Sequence, residues 1–170
     1  DRIGSEDLRY SLKLQLTRQQ EWWSGPTTAV ELRGLAPTGN EYSTGNAEFS
    51  FDYIYHWQLS RGWSVAGSTA VATNGFGEYS LVPDLEVKEQ FTAFAQSAVV
   101  GYELGDLNTM YFEWYGIFTD GLQNEKSVSV LNLGIDHYLS RNFVVDARIG
   151  FGLTEDSDDF FAGFGGGYRF

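Results

Sequence analysis

The strongest constraint on the fold is strict alternation between apolar and polar residues. The clearest example is the segment from Ala47 to Leu59. One side of it reads Phe49, Phe51, Tyr53, Tyr55, Trp57 and Leu59, and the other reads Glu48, Ser50, Asp52, Ile54, His56 and Gln58. Because successive side chains of a β-strand point to opposite faces, a period of two residues indicates a strand with one apolar face. Helical spacing is hard to find anywhere, so the chain is predicted to be all-β.

Similar segments recur along the whole chain. We count roughly nine, each of about 9–14 residues, a length that suits tilted strands crossing a bilayer. They begin near Asp7, Thr27, Ala47, Gly62, Gln90, Leu107, Lys126, Asn142 and Phe160. The segments near Gly62 and Gln90 are ambiguous, because Ala, Ser and Gly populate both of their faces. The prediction is an up-and-down antiparallel transmembrane β-barrel, with residues 1–170 forming a single domain.

Composition excludes several classes of protein. The chain has 23 acidic and 11 basic side chains, a formal charge of −12, which argues against binding to nucleic acid. It contains no Cys, so disulfides, thiolate metal sites and Cys nucleophiles are excluded. No apolar run approaches the length of about 18–20 residues that a membrane-spanning helix needs. The aromatic content of 16% beside 20 Gly is typical of β structure.

The predicted connections alternate between short and long. Tight hairpin turns are expected around Ser60–Gly62, Gly105–Asp106 and Ser140–Asn142, and longer polar connections at 37–46, 74–89, 119–125 and 154–159. Short connections on one rim and long ones on the other are typical of outer-membrane barrels. The first connection, 18–26, falls on the rim of short turns and yet is long.

Alternation alone leaves open whether the apolar face points inward or outward. A soluble β-sandwich or a lipocalin-like barrel would bury that face, whereas a membrane barrel would turn it towards lipid. Aromatic residues gather near the rim of tight turns, namely Trp57, Trp63, Tyr102, Tyr138, Phe143, Tyr168 and Phe170. Because aromatic rings prefer the level of the lipid headgroups, this distribution favours the membrane barrel.

The opposite face supplies the candidate functional residues. By alternation, the charged residues expected to face the lumen are Arg9, Lys13, Glu31, Arg33, Glu48, Asp52, His56, Glu113, Asp136, Asp146, Arg148 and Arg169. Charges of both signs on neighbouring strands are expected to pair, since an unpaired charge in a narrow interior is costly. Three interpretations remain open: a structural ion-pair network that fills the barrel, a polar lining that selects permeants, or acid–base catalysis.

No enzyme, cofactor or metal site is predicted. Ser50, Asp52 and His56 share one face of a strand, but Ser50 and His56 would lie ~20 Å apart at about 3.3 Å per residue, too far for a catalytic triad. A membrane-embedded lipid hydrolase would need partners on other strands. The acidic loop 155–159 could collect divalent cations, but it lacks the oxygen spacing of a dedicated Ca²⁺ loop and is better interpreted as a solvated rim.

The carboxyl-terminal sequence GFGGGYRF resembles the terminal β-signal of bacterial outer-membrane proteins. Gly165, Tyr168 and Phe170 match its glycine and two aromatic positions, whereas Gly163 stands where a polar residue is usual. The resemblance implies recognition by the barrel-assembly machinery and localisation in the bacterial outer membrane.

A second resemblance covers most of the chain. The segment LAPTGNEYSTGNAEFSFDYIYHWQLSRGWSVAGST and the tail from MYFEWYG to GGGYRF are similar to the transporter family labelled "MetA-pathway of phenol degradation". The matching elements are Pro37–Gly39, Glu113, the turn 139–142, Asp146, Arg148, Gly150, Gly152–Leu153, Asp158–Phe161 and Tyr168–Phe170.

This resemblance implies an outer-membrane barrel, surrounded by lipid, for passive transport of small organic solutes, with aromatic or other hydrophobic permeants. The alternative is a structural barrel with a plugged lumen. Family members are longer, and bacterial single-chain barrels have even strand counts, so we expect additional N-terminal strands or a count that is off by one.

Overall fold

The chain forms one sheet of nine antiparallel strands. The computed structural model describes residues 7–39, 45–73 and 91–170. The strands are β1 (Leu8–Thr17), β2 (Thr27–Ala36), β3 (Glu48–Gln58), β4 (Trp63–Thr73), β5 (Thr92–Leu104), β6 (Asn108–Asp120), β7 (Ser127–Ser140), β8 (Phe143–Gly152) and β9 (Phe160–Tyr168). No strand start departs by more than two positions from its predicted place.

The topology is up-and-down. Each strand pairs antiparallel with the next in sequence, giving the order β1-β2-β3-β4-β5-β6-β7-β8-β9. The predicted all-β, up-and-down antiparallel fold is therefore confirmed. Among the described strands, β1 and β9 are the two edges of an open sheet. Whether further strands continue it remains a prediction.

The connections differ between the two rims as predicted. Residues 59–62, 105–107 and 141–142 form the tight connections of one rim. In the first of these, Arg61 and Gly62 both have positive φ (61° and 78°), the conformation of the two-residue turns whose twist matches that of paired strands. Residues 121–126 and 153–159 form longer connections on the opposite rim. The predicted long connection 74–89 lies outside the described residues, as does part of the one at 37–46.

Burial is inverted relative to a soluble sheet. On β3, Glu48 is 1% exposed and Asp52 2%, whereas Phe49 is 58% exposed. The same contrast appears on β7, where Asn132 is 3% exposed and Leu133 43%. We call the face that carries Glu48, Asp52 and Asn132 the inner face, and the face that carries Phe49 and Leu133 the outer face. The soluble alternative, in which apolar stripes pack against one another, does not describe these strands.

Register assigns the aromatic residues of the tight rim to faces. Trp63 and Tyr102 pair across β4 and β5 on the outer face, with ring centroids 4.6 Å apart. Phe143 and Tyr168 do the same across β8 and β9, at 6.5 Å. Tyr138 differs, because it pairs with Val144 on the inner face, just before the register shifts between Tyr138 and Ser140. It therefore does not belong to the outer row of rings.

Several glycines accommodate a ring from the neighbouring strand. On the inner face, Tyr111 lies over Gly134 and Phe161 over Gly150, so closely that a Cβ atom on either glycine would overlap the ring. On the outer face, Tyr10 covers Gly34 and Tyr55 covers Gly67 in the same way. Glycine within a strand often marks such a close approach.

Within the described part of the chain, no helix has the length and apolar character needed to cross a membrane.

Candidate functional site

The inner face collects nearly all the predicted functional residues. The register of the eight strand pairs places these charged and imidazole side chains on this one face: Arg9, Lys13, Glu31, Arg33, Glu48, Asp52, His56, Glu113, Asp136, Asp146 and Arg148. Arg169 is the exception. It follows the end of β9 at the tight rim, where its side chain is exposed and its backbone N–H donates to Asn142 O at 2.8 Å.

The first charged cluster spans β1 to β3. Arg33 donates to Asp52 Oδ2 from Nε at 2.8 Å and also from Nη2. Lys13 Nζ lies 3.9 Å from Glu31 Oε2, and Arg33 Nε lies 3.9 Å from Glu31 Oε1. The two cations and two carboxylates thus form one chain of ion pairs across three strands. Arg9 and Glu48 lie nearer the rim of long connections, each beside Leu35, and His56 lies nearer the tight rim.

The inner face of β4 and β5 carries small side chains over most of its length, with Glu103 at the tight-rim end of β5 as the exception. The facing pairs are Ser64 with Gly101, Ala66 with Val99, Ser68 with Ser97, Ala70 with Ala95, and Ala72 with Ala93. The ambiguity of these two segments in the sequence is thereby resolved: small residues line the interior, and Val71, Phe94 and Val100 point outward. This sector separates the two charged clusters.

The second charged cluster spans β6 to β8. It includes three uncharged polar residues, Tyr111, Tyr115 and Asn132, that were not among the residues predicted to face the lumen. Asn132 donates from Nδ2 to Glu113 Oε2 at 2.7 Å, and Tyr111 and Tyr115 flank Glu113 on β6. Asp136 faces Asp146 directly across β7 and β8. Tyr111, Tyr115 and Asn132 could have been found as the polar members of the inward stripes of β6 and β7, since they share the parity of Glu113 and Asp136.

Arg148 belongs to this cluster without an ion pair of its own. Its Cζ atom lies 5.7 Å from the centroid of the Phe161 ring, which is cation–π distance. Within the described ranges, no carboxylate oxygen lies within 4.0 Å of its guanidinium, although acidic residues share its face. The three carboxylates and one guanidinium of this cluster leave it with an excess of negative charge, whereas the Lys13–Asp52 network is balanced.

Towards the rim of long connections the inner side of β5 to β7 becomes largely apolar. Phe91, Ala93 and Leu122 form a buried cluster, with Ile117 packed against it. Val128 and Val130 on β7 are buried at the same end. On these strands the inner face therefore changes along the strand direction, from apolar at this rim to charged and aromatic at mid-strand, whereas β1 to β3 carry Arg9 and Glu48 near the same rim.

The loop 153–159 is held to β7 by hydrogen bonds. Asp156 accepts from the backbone N–H of Ser127 at 2.8 Å and from Lys126 Nζ at 3.1 Å. These bonds, that of Ser127 first, hold the pKa of the Asp156 carboxyl below its usual value. Ser157 Oγ accepts from Ser129 N at 2.9 Å and shares a 2.7 Å hydrogen bond with Thr154 Oγ1. The acidic residue at the centre of this loop thus anchors it to the strand.

The residues that metal binding or acid–base chemistry would need are dispersed over the described part of the sheet. Across residues 7–39, 45–73 and 91–170, no three His, Cys, Asp or Glu side chains are grouped so that they could hold a metal ion. His56 lies on the inner face, whereas His137 lies on the outer face, where its Nδ1 is 2.8 Å from Asn108 Oδ1. Asp52, the carboxylate nearest to His56 along β3, is engaged by Arg33.

The carboxyl-terminal residues complete the tight rim. Tyr168 and Phe170 stack on the outer side with ring centroids 6.4 Å apart, and Gly165 lies against the carboxylate of Asp146. The predicted role of Gly165, Tyr168 and Phe170 in assembly remains a prediction.

Comparison with known proteins supplies the family. No curated protein matches the chain. The family model described as "Putative MetA-pathway of phenol degradation" matches residues 1–170, which is the whole chain. The resemblance found in the sequence is therefore confirmed, and the chain belongs to this family.

Proposed function

We propose that the protein is a bacterial outer-membrane β-barrel that passively transports small organic solutes. The observation that carries this proposal is the inverted burial of the sheet. Leu12, Phe49 and Phe112 are 57%, 58% and 49% exposed on the outer face, whereas Glu48 and Asp52 are nearly inaccessible on the inner face. Exposed apolar stripes on every strand are costly in water and favourable in lipid, and alternation of this kind is the pattern of membrane barrels.

The family description supports a permeant related to phenol degradation. Aromatic or other hydrophobic compounds are the solute class that we propose on this ground. The inner face offers chemistry suited to them, because it combines Tyr111, Tyr115 and Phe161 with hydrogen-bonding groups and small residues. We further propose that the carboxyl-terminal strand is recognised by the barrel-assembly machinery, and that the protein is not an enzyme.

Flux measurements test transport. Reconstituted protein is expected to make liposomes permeable to small aromatic solutes and to give single-channel conductance in planar bilayers. A size series of solutes then gives the limiting diameter. Absence of flux at every solute size, from protein that shows heat-modifiable migration on a denaturing gel, would contradict transport.

The second candidate function is a structural barrel whose lumen is filled by its own side chains. Tight burial of Glu48, Asp52 and Asn132, together with the apolar cluster of Phe91 and Leu122, favours it. Conductance separates the two candidates, because a filled lumen passes no current, whereas a polar lining conducts. Release of fatty acid from phospholipid or lipid A, lost on His56→Ala or His137→Ala, would instead indicate a hydrolase.

A further inference from the structure

The connection between β1 and β2, residues 18–26, folds back over the outer face of the sheet. Trp57, which points outward from β3, donates from Nε1 to Ser24 O at 2.6 Å. Thr28 is also on the outer face, where it faces Tyr55, and it is only 6% exposed. Thr17 Oγ1 bonds both to Pro26 O and to Thr28 Oγ1, at 2.7 Å each. The connection therefore lies beside the outer surface of the tight rim.

Hydrogen bonds fix the shape of this connection. Ser24 Oγ accepts from the backbone N–H groups of Gln20 and Glu21, at 3.1 Å each. Gln19 donates from Nε2 to Gln58 O at 2.7 Å, and its Oε1 accepts from Gln58 N at 2.8 Å. The turn is thus bound to the end of β3 from two sides. A turn held in this way presents its remaining side chains in a defined direction.

The side chains that the connection leaves exposed include two indoles, beside Arg18, Gln20 and Glu21. Trp22 is 58% exposed and Trp23 70%, whereas Trp57 beneath the turn is 37% exposed. Two adjacent indoles displayed by a rigid turn are costly in water. The indole ring is amphipathic, with an apolar body and an N–H donor, and it prefers the level of lipid headgroups. Arg18 and Arg61 are exposed at the same rim, and guanidinium groups bind phosphate oxygens well.

We propose that residues 18–26 form a membrane-interface anchor that seats Trp22 and Trp23 among the lipid headgroups at the tight rim. The anchor rests on the proposed function, since it requires the outer face to contact lipid. It continues the outward row of Trp57, Trp63 and Tyr102 beyond the strand ends. It also accounts for the one long connection on a rim of short turns, because a two-residue turn has no room for such an extension.

Fluorescence quenching by brominated lipids tests the anchor. Both variants of the full chain carry Trp63→Phe and Trp114→Phe, and one of them also carries Trp22→Phe and Trp23→Phe. Trp57 stays in both, because it holds the turn, so the difference in their emission belongs to Trp22 and Trp23. Each variant is reconstituted into phosphatidylcholine–phosphatidylglycerol vesicles whose lipids carry bromine either just below the headgroup or near the chain end. Heat-modifiable migration verifies folding of both variants.

The difference emission is expected to be blue-shifted and to lose most of its intensity to shallow bromine, with a smaller loss to deep bromine. If Trp57 emission is quenched by lipid but the difference emission is unaffected at both depths, the anchor is refuted and the membrane barrel stands. In that case the two indoles would face water or a protein partner. If neither emission is quenched, the outer face is not in lipid, and the proposed function falls together with the anchor.

Discussion

Arg33 Nε lies 2.8 Å from Asp52 Oδ2, and the two residues come from neighbouring strands but not from facing positions. In the register of β2 and β3, Arg33 faces Ser50 and Asp52 faces Glu31, so the ion pair runs diagonally. The long arginine side chain spans this offset and still reaches Glu31 with the same Nε atom at 3.9 Å. The Arg33 guanidinium thus interacts with the carboxylates of both Glu31 and Asp52 on the inner face.

Asp52→Asn is expected to destabilise the protein by about 1–3 kcal/mol, because the guanidinium of Arg33 loses its charged partner while Asp52 occupies a buried position. The expected loss is smaller than for a fully buried pair, since the Arg33 side chain is 34% exposed and solvent screens the interaction. Stability is measured by urea unfolding of the refolded protein. The predicted loss should appear as a lower midpoint concentration of urea with an unchanged m-value. The control is Asp120→Asn, where the side chain is exposed at the end of β6. Equal shifts for the two variants would contradict the prediction.

Gly134→Ala is expected to cost about 1–3 kcal/mol, because the new methyl group overlaps the ring of Tyr111 and forces it from its position. Gly163→Ala is the matched control on the same face. Its Cβ would meet Arg148 Nε at 3.6 Å, an ordinary contact, so stability should be unchanged or slightly higher. Urea unfolding of both variants provides the comparison. A loss at Gly163 as large as that at Gly134 would show that the ring does not occupy the space above Gly134.

Leu133→Arg tests whether the outer face contacts lipid. Leu133 lies near the middle of β7 and is 43% exposed, so an arginine there is expected to cost about 2–4 kcal/mol in vesicles. Leu107 is 51% exposed in the tight connection between β5 and β6, where Leu107→Arg should cost at most about 1 kcal/mol. Unfolding from phospholipid vesicles measures both variants. If Leu133→Arg costs no more than the variant at the rim, the outer face lies in water.

The Asp156 carboxylate should make the loop 153–159 sensitive to acid. Its pKa is lower in the folded protein than in the unfolded chain, so its contribution to stability is fully present above the unfolded value of about 3.9. The contribution is lost as the pH falls through the folded value. The measurement is the carboxyl ¹³C chemical shift of Asp156 as a function of pH in detergent micelles. A midpoint at or above the ordinary value would be incompatible with the bonds from Ser127 and Lys126.

Asp156→Asn complements that titration. The amide can still accept from the Ser127 N–H but no longer pairs with the Lys126 ammonium. Because Asp156 then holds the loop to β7 less firmly, the Ser127 amide should be less protected, and its hydrogen exchange at neutral pH should be faster. Glu155→Gln is the control, because Glu155 is exposed on the same loop. Equal exchange rates in the two variants would show that Asp156 does not hold the loop.

Alternation in the sequence was sufficient to predict the strands, and also their faces except on β4 and β5, where Ala, Ser and Gly occupy both faces. A period of two is a local property, so β3 could be assigned from the residues of 47–59 alone, including which side carries Glu48 and Asp52. Tight turns joining consecutive strands then implied the order of the sheet. The faces could be predicted even for isolated charges such as Glu113, because parity along a strand does not depend on neighbouring strands.

Contacts between strands could not be predicted in the same way. The pair of Asn132 with Glu113 depends on the register of β6 against β7, which is set by the hairpin and not by either segment alone. Tyr138 is a different case, because it shares the parity of Asp136 and alternation already assigns it to the inner face; only its closeness to the tight turn grouped it with the outer rings. The course of residues 18–26 depends on Trp57 and Gln58, which lie far along the chain. The contact of Asn132 with Glu113 and the course of residues 18–26 arise from tertiary pairing, which the local sequence pattern does not encode.

The rings that lie over glycines have a consequence for assembly. Each places a bulky side chain in a space that exists only because the facing residue has no side chain, and such a place occurs in the hairpins β1–β2, β3–β4, β6–β7 and β8–β9. Sliding one strand by a single residue would turn every charge to the wrong side. Sliding by two would restore the sides but drive Tyr111 into Asn132 or Asp136 instead of the gap beside it. In each of these four hairpins, the ring and the facing glycine therefore disfavour two-residue shifts of register, which the hydrophobic pattern alone would allow.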